Sequence, residues 1–208
     1  MKNYHKINAS DLKKFESRTR AELINTISGF KSPVLVGTVN GGGTYNLSII
    51  SSIVHIGSNP AMIGIVLRPP GEYSHTFKNI IDTKQFTVSH IHSDIIKQSH
   101  KCSAKYPEHI SEFEAVGLSP YVSKTKDWKA PAVVESNIRM GLVLNKVIEL
   151  PNQCNLVIGD VDWMEVNQSS YDNKSVKFDL NNICILGVYE YYKTSKLMKL
   201  DYEEFIQP

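Results

Sequence analysis

Residues 33–67 read PVLVGTVNGGGTYNLSIISSIVHIGSNPAMIGIVL, and the texture of this stretch decides the fold class. Pro33 to Val39 is rich in branched side chains and ends in Asn40-Gly41-Gly42-Gly43, a turn in which positive φ costs little. Leu47 to Ile56 and Ala61 to Leu67 predict two further strands, joined through Gly57-Ser58-Asn59-Pro60. Together they predict an antiparallel meander.

On the N-terminal side, one helix is predicted over about residues 10–28. Ser10 is its expected N-cap, Leu12, Phe15, Thr19, Leu23 and Ile27 recur at helical spacing, and Gly29 stops the run. On the C-terminal side, Ser74 to Ile81 predicts a short helix capped by Ser74, with Phe77, Ile80 and Ile81 inward. Gln85 to Ile91 returns to strand. Ser93 to Ala104 and Ser111 to Val116 predict helices. The stretches from Ile138 to Asn145 and from Val157 to Met164 alternate apolar and other residues, which is strand periodicity. Ile183 to Tyr191 reads as one last apolar strand. No βαβαβ rhythm is present, so the chain predicts a mainly β, mostly antiparallel barrel with helical decorations, spanning residues 1–208 as a single domain.

Composition narrows the function. Among 208 residues, 41% are hydrophobic, enough for a sizeable core, and the formal charge is only +2. So small an excess, with its lysines scattered, predicts neither a nucleic-acid nor an anionic-membrane partner. Cys102, Cys154 and Cys184 are far apart and form no CxxC pair, which fits neither a disulfide framework nor structural zinc. With no apolar leader at the N-terminus, a cytoplasmic location is expected. The most apolar stretch is too short to span a bilayer.

Four features could carry chemistry. Thr44 to Ser48, running on to Ser51 and Ser52, puts amides and hydroxyls into an apolar strand, where they need partners. Those partners are either loop backbone or a polar ligand, with Asn46 and Ser48 on heteroatoms and Ser51 and Ser52 on phosphate. Arg68 stands at a strand end, either as a solvated charge or as a fork for phosphate. Ser74, His75 and Thr76 open a helix, where free N–H groups favour an anion, although Ser74 also explains itself as a cap. Short connections allow all three to converge on one anion. The fourth feature, His90 and His92, sets two rings on one side of a strand, but only Asp94 stands near in support, so no metal site is expected. His100 and Cys102 do not face each other on a helix, and no GxSxG, P-loop or GxGxxG occurs.

The ordered series Asn46-Leu47-Ser48-Ile49-Ile50-Ser51, Ser58-Asn59-Pro60, Arg68 and Thr76-Phe77-Lys78-Asn79-Ile80 resembles the flavin reductase-like, FMN-binding split-barrel family. Glu112-Phe113-Glu114 with Gly117-Leu118, Ala130-Pro131 with Glu135-Ser136, Ile158-Gly159-Asp160-Val161, and Leu186-Gly187 to Tyr191-Tyr192 continue the likeness in order, over roughly residues 23–194. The resemblance implies a split β-barrel, a homodimer, and FMN held by Asn46, Leu47, Ser48, Ser51, Ser52, Arg68, Ser74, His75 and Thr76. Ser74-His75 replaces the family's Lys-Asp, removing a cation, and Ile49-Ile50 replaces its Pro-Tyr. The implied activity is an NAD(P)H:flavin oxidoreductase using NADH or NADPH. A non-enzymatic FMN electron carrier serving a partner protein and a flavin-binding module are the alternatives. Backbone N–H groups from Leu47 to Ile50 are expected to face the ring.

Overall fold

The computed structural model describes residues 2–172, 175–176 and 181–200. Two helices, α1 (Ala9–Lys14) and α2 (Ser17–Ile27), lead into β1 (Val34–Val39), β2 (Tyr45–Ile50), β3 (Ile53–Ser58) and β4 (Ala61–Leu67). Then come α3 (His75–Thr83), β5 (Gln85–His90), α4 (Ile96–Lys101) after a 3₁₀ turn at Ser93–Ile95, α5 (Glu112–Val116), β6 (Pro120–Tyr121) and β7 (Ala132–Val133). Two long strands follow, β8 (Ile138–Glu149) and β9 (Asn155–Val166), then the short pairs β10 (Tyr171–Asp172) with β11 (Ser175–Val176) and β12 (Ile183–Leu186) with β13 (Glu190–Lys193).

The main sheet has seven strands in the order β2-β1-β5-β8-β9-β4-β3, and every ladder in it is antiparallel. Its two edge strands, β2 and β3, are consecutive in sequence with only Ser51 and Ser52 between them. The two edges therefore meet at that bend, and the sheet curls into the split barrel that the sequence predicts. The predicted meander does not form. The run from Leu47 to Ile56 is two strands rather than one, because Ser52 ends its association with β1 and takes up β4: Val66 N–H donates to Ser52 O at 3.2 Å, and Ser52 Oγ donates to Val66 O at 2.7 Å.

β1 is buried along its whole length because both of its faces are covered. Val34 and Val36 face the barrel interior with Ile65, Phe86, Val88, Leu142 and Val157, a core closed at one end by Ile80 and Phe77 of α3. Leu35 faces outward into a second core with Leu47, Cys102, Phe113, Val133 and Ile183, roofed by α4, α5 and the last hairpin. Gly37 makes the outer layer possible. A Cβ there would collide with the Pro131 carbonyl, so only glycine lets that segment lie on β1.

Three further expectations are corrected. The single helix over 10–28 is two, since Phe15 is extended and Arg20 Nη1 donates to its carbonyl at 2.9 Å. Asn8, not Ser10, starts it, with the Asn8 N–H donating to Asp11 Oδ2 at 3.0 Å, and neither helix buries a residue. The last apolar strand is a hairpin, turned at Gly187 with φ 61°. The helix predicted from Ser93 to Ala104 is shorter, beginning with the 3₁₀ turn and ending at Lys101. Among the described residues, no helix is long and apolar enough to cross a membrane.

Candidate functional site

β2 is an edge strand, and its open side becomes the wall of a cleft of about 780 Å³. The other walls are the loop from Arg68 to Tyr73, the start of α3, the end of α4 with residues 102–106, and the last hairpin. Asn46, Ser48, Ser51, Ser52, Arg68, Ser74, His75 and Thr76 all line this one cleft. Leu47 does not. Its side chain alternates into the outer core, fully buried, and its N–H donates to Glu112 Oε2 at 2.9 Å.

Strand alternation puts Asn46 and Ser48 on the face toward α3. There the buried Thr76 hydroxyl is a hub: it accepts from Asn46 Nδ2 at 3.0 Å and forms a short hydrogen bond with Ser48 Oγ. One turn further along α3, the nearly inaccessible Asn79 donates through Nδ2 to Thr38 Oγ1 at 3.1 Å, while its Oδ1 finds no partner among the described residues. The polar face of β2 is thus anchored to α3, and part of the polar cluster is satisfied within the protein.

Other groups are not. Arg68 makes no hydrogen bond or ion pair and Ser51 no side-chain hydrogen bond among the described residues. The N–H groups of His75, Thr76 and Phe77, at the start of a nine-residue helix, have no acceptor among the described residues, Lys78 being the first to bond back, to Ser74 O. The Ser74 hydroxyl does not cap them, because it accepts from the Gly71 N–H at 2.7 Å. His75 is turned aside, with Nε2 against Tyr106 O at 3.3 Å. On the β2 edge the outward-pointing amides are those of Tyr45, Leu47 and Ile49, by the alternation of an antiparallel ladder. Glu112 takes that of Leu47, so Ile49 is left to present an N–H to the cleft.

Several cleft residues were not named as ligand-binding from sequence. Glu112 is buried on its floor, and burial pushes its carboxyl above the ordinary range despite the Leu47 N–H. Nothing in the Glu-Phe-Glu run marks which glutamate turns inward. Opposite Glu112's helix, His100 Nδ1 meets Tyr191 Oη at 2.8 Å, and both Tyr189 and Tyr191 stand edge-on to the His100 ring. Cys102 is no nucleophile: burial first, and then the charge of Glu112, push its thiol up to about 12. Of the histidine pair, His92 lies past the end of β5, with Nε2 against Glu135 O at 2.9 Å and Nδ1 accepting from the Asp94 N–H.

The model of the flavin reductase-like domain matches residues 27–191, which include the whole seven-stranded sheet and every cleft-lining residue but Asn25. The chain is 37% identical to a Shewanella frigidimarina protein described as a flavin reductase with a split-barrel domain, covering 96% of this chain and 100% of that one at a TM-score of 0.89. It is 25% identical to the 2-nitrobenzoate 2-nitroreductase of Pseudomonas fluorescens (98% and 99% covered, TM-score 0.83). The nitrilotriacetate monooxygenase component B of Bacillus cereus, at 24% identity and a TM-score of 0.86, shares the fold over 96% and 100% of the two chains. The chain belongs to the flavin reductase-like domain family, and its role is flavin-linked oxidoreduction.

Proposed function

We propose that the protein is an NAD(P)H:flavin oxidoreductase that holds FMN in the cleft beside β2. One observation carries this reading: the donors without acceptors among the described residues, namely the Ile49 N–H, the Ser51 hydroxyl, Arg68 and the first amides of α3, all open on one cleft with a buried polar floor. A phosphate suits the α3 end, where the helix start and a guanidinium offer N–H donors to an anion. A flat ring with carbonyl and nitrogen acceptors suits the β2 edge. FMN supplies both parts, and when bound it supplies the hydride and electron chemistry.

The protein's part is placement. Asn46, Ser48 and Thr76 tie the strand carrying Ile49 to the helix that meets the phosphate, so both ends of the ligand are held by one hydrogen-bonded unit. The Ile49 N–H is placed to favour negative charge at the ring edge. Glu112 holds Leu47 and through it the β2 edge. Tyr189 and Tyr191 line the same cleft and offer aromatic surface against which a nicotinamide ring of NADH or NADPH could stack. The reading includes a homodimer, supported by apolar residues left in water: Val54 at 43% and Ile56 at 36% exposure on β3, and Ile24, Ile27 and Phe30 near α2. Three free cysteines agree with a reducing cytoplasm.

The test is the visible spectrum of the purified protein, followed by FMN titration of flavin-free protein and anaerobic stopped-flow mixing with NADH and NADPH. The expected result is FMN bound near one per chain and bleached by at least one nucleotide within the time of turnover. Protein that never takes up FMN defeats the reading. Bound FMN that dithionite bleaches and neither nucleotide does would make the protein an electron carrier or a flavin-binding module instead.

A further inference from the structure

The connection between α4 and α5 carries a charge that the reading above does not use. Lys105 lines the same cleft, and its Nζ stands 5.3 Å from the ring centroid of Tyr73, over the aromatic face. Among the described residues it has neither a hydrogen bond nor an ion pair. Its surroundings fix which end of the cleft it serves. Tyr73 stands edge-on to His75, the first residue of α3, at 6.3 Å between ring centroids, and His75 in turn meets the carbonyl of Tyr106, the residue after Lys105. Lys105 therefore belongs to the α3 end, where Arg68 is also without a counter-charge.

The nearby acids do not neutralise this pair. Glu108 is committed to Lys78 at 3.1 Å, and Glu112 faces the Leu47 N–H at the cleft floor. Glu72 lines the cleft but forms no ion pair with either cation. Two exposed cations from separate elements line the cleft into which the first amides of α3 open, a donor set that suits a compact dianion rather than a neutral ribityl chain. The ring of Tyr73 holds the ammonium over its face without satisfying any of its three N–H donors, so these remain available.

We propose that Lys105 is a second phosphate-binding cation of this cleft, positioned by Tyr73, and that with Arg68 it makes the protein select flavins ending in a phosphate monoester over riboflavin. The proposal rests on the flavin reading and adds to it a selectivity and a residue.

Flavin-free protein titrated separately with FMN and riboflavin, followed by quenching of flavin fluorescence, tests it. The wild type should prefer FMN, and Lys105→Met should weaken FMN by about five- to tenfold while riboflavin changes by less than about twofold. Lys105→Arg should restore most of the preference, and Tyr73→Leu should lose part of it. Added salt should weaken FMN binding more in the wild type than in Lys105→Met. Equal losses for both flavins, or none for FMN, overturn the proposal while leaving the flavin reading intact. A loss confined to 2′,5′-ADP, used as a probe for the 2′-phosphate of NADPH, also overturns it by assigning Lys105 to the nucleotide. Absence of binding by either flavin would instead sink the earlier reading.

Discussion

β1 separates two cores that differ in what they tolerate. The barrel interior is built from aliphatic residues and Phe86, with the His90 ring held neutral at the end of β5. The outer core, on the other face of the same strand, shares its space with Glu112, with the thiol of Cys102 and with the floor of the cleft. The difference teaches where stability and function are divided. The interior can be packed for stability alone, whereas the outer layer accepts a buried carboxyl because that carboxyl fixes the edge strand facing the ligand.

Substitutions on the two sides should separate accordingly. The largest effect belongs to the interior. Phe86→Ala should cost about 3–5 kcal/mol in urea unfolding, as for other buried aromatics, while the folded fraction keeps its flavin affinity. If affinity falls in proportion to stability, the two cores do not divide stability from function.

His90 gives the next effect, on pH. It ends β5 on the same side as Phe86 and Val88, and burial lowers its pKa from 6.5 to about 4. An unfolded chain then takes up a proton at a higher pH than the folded one. The stability from keeping this ring neutral is whole above pH 6.5 and is lost as pH falls toward 4, amounting to about 3 kcal/mol. His90→Gln should flatten the acid limb of a plot of unfolding free energy against pH, and an unchanged limb would refute the assignment.

Glu112→Gln should give the smallest effect, with the opposite sign. Because burial raises this carboxyl, the folded chain holds the proton to higher pH than the unfolded chain does, so stability declines as pH rises from 4.5 through the folded value. The amide can still accept from the Leu47 N–H but has no proton to lose. The variant should match the wild type in acid and exceed it at neutral pH, measured by thermal melts across that range. A variant that is weaker at every pH would show that the charge itself holds β2.

The sequence alone determined what its local chemistry could enforce. Branched runs and glycine turns specified a mainly antiparallel β protein, and the order of the motifs Asn46 to Ser52, Arg68 and Ser74 to Thr76 named eight residues that share one cleft. Period-2 alternation cannot say which neighbour a strand chooses, so the run through Ser51 and Ser52 read as one strand until the β4 carbonyl at Val66 was seen to claim it. Nor can sequence separate a polar side chain that a ligand would satisfy from one that a distant loop already satisfies. Ser74, Ser52 and the Leu47 amide went to protein partners, while Arg68, Ser51 and the Ile49 amide did not. Glu112 and Lys105 reach the cleft from segments more than thirty residues away from β2, and only the folding of those segments over the outer core brings them there. Long-range packing sets those neighbours, and no local pattern encodes it.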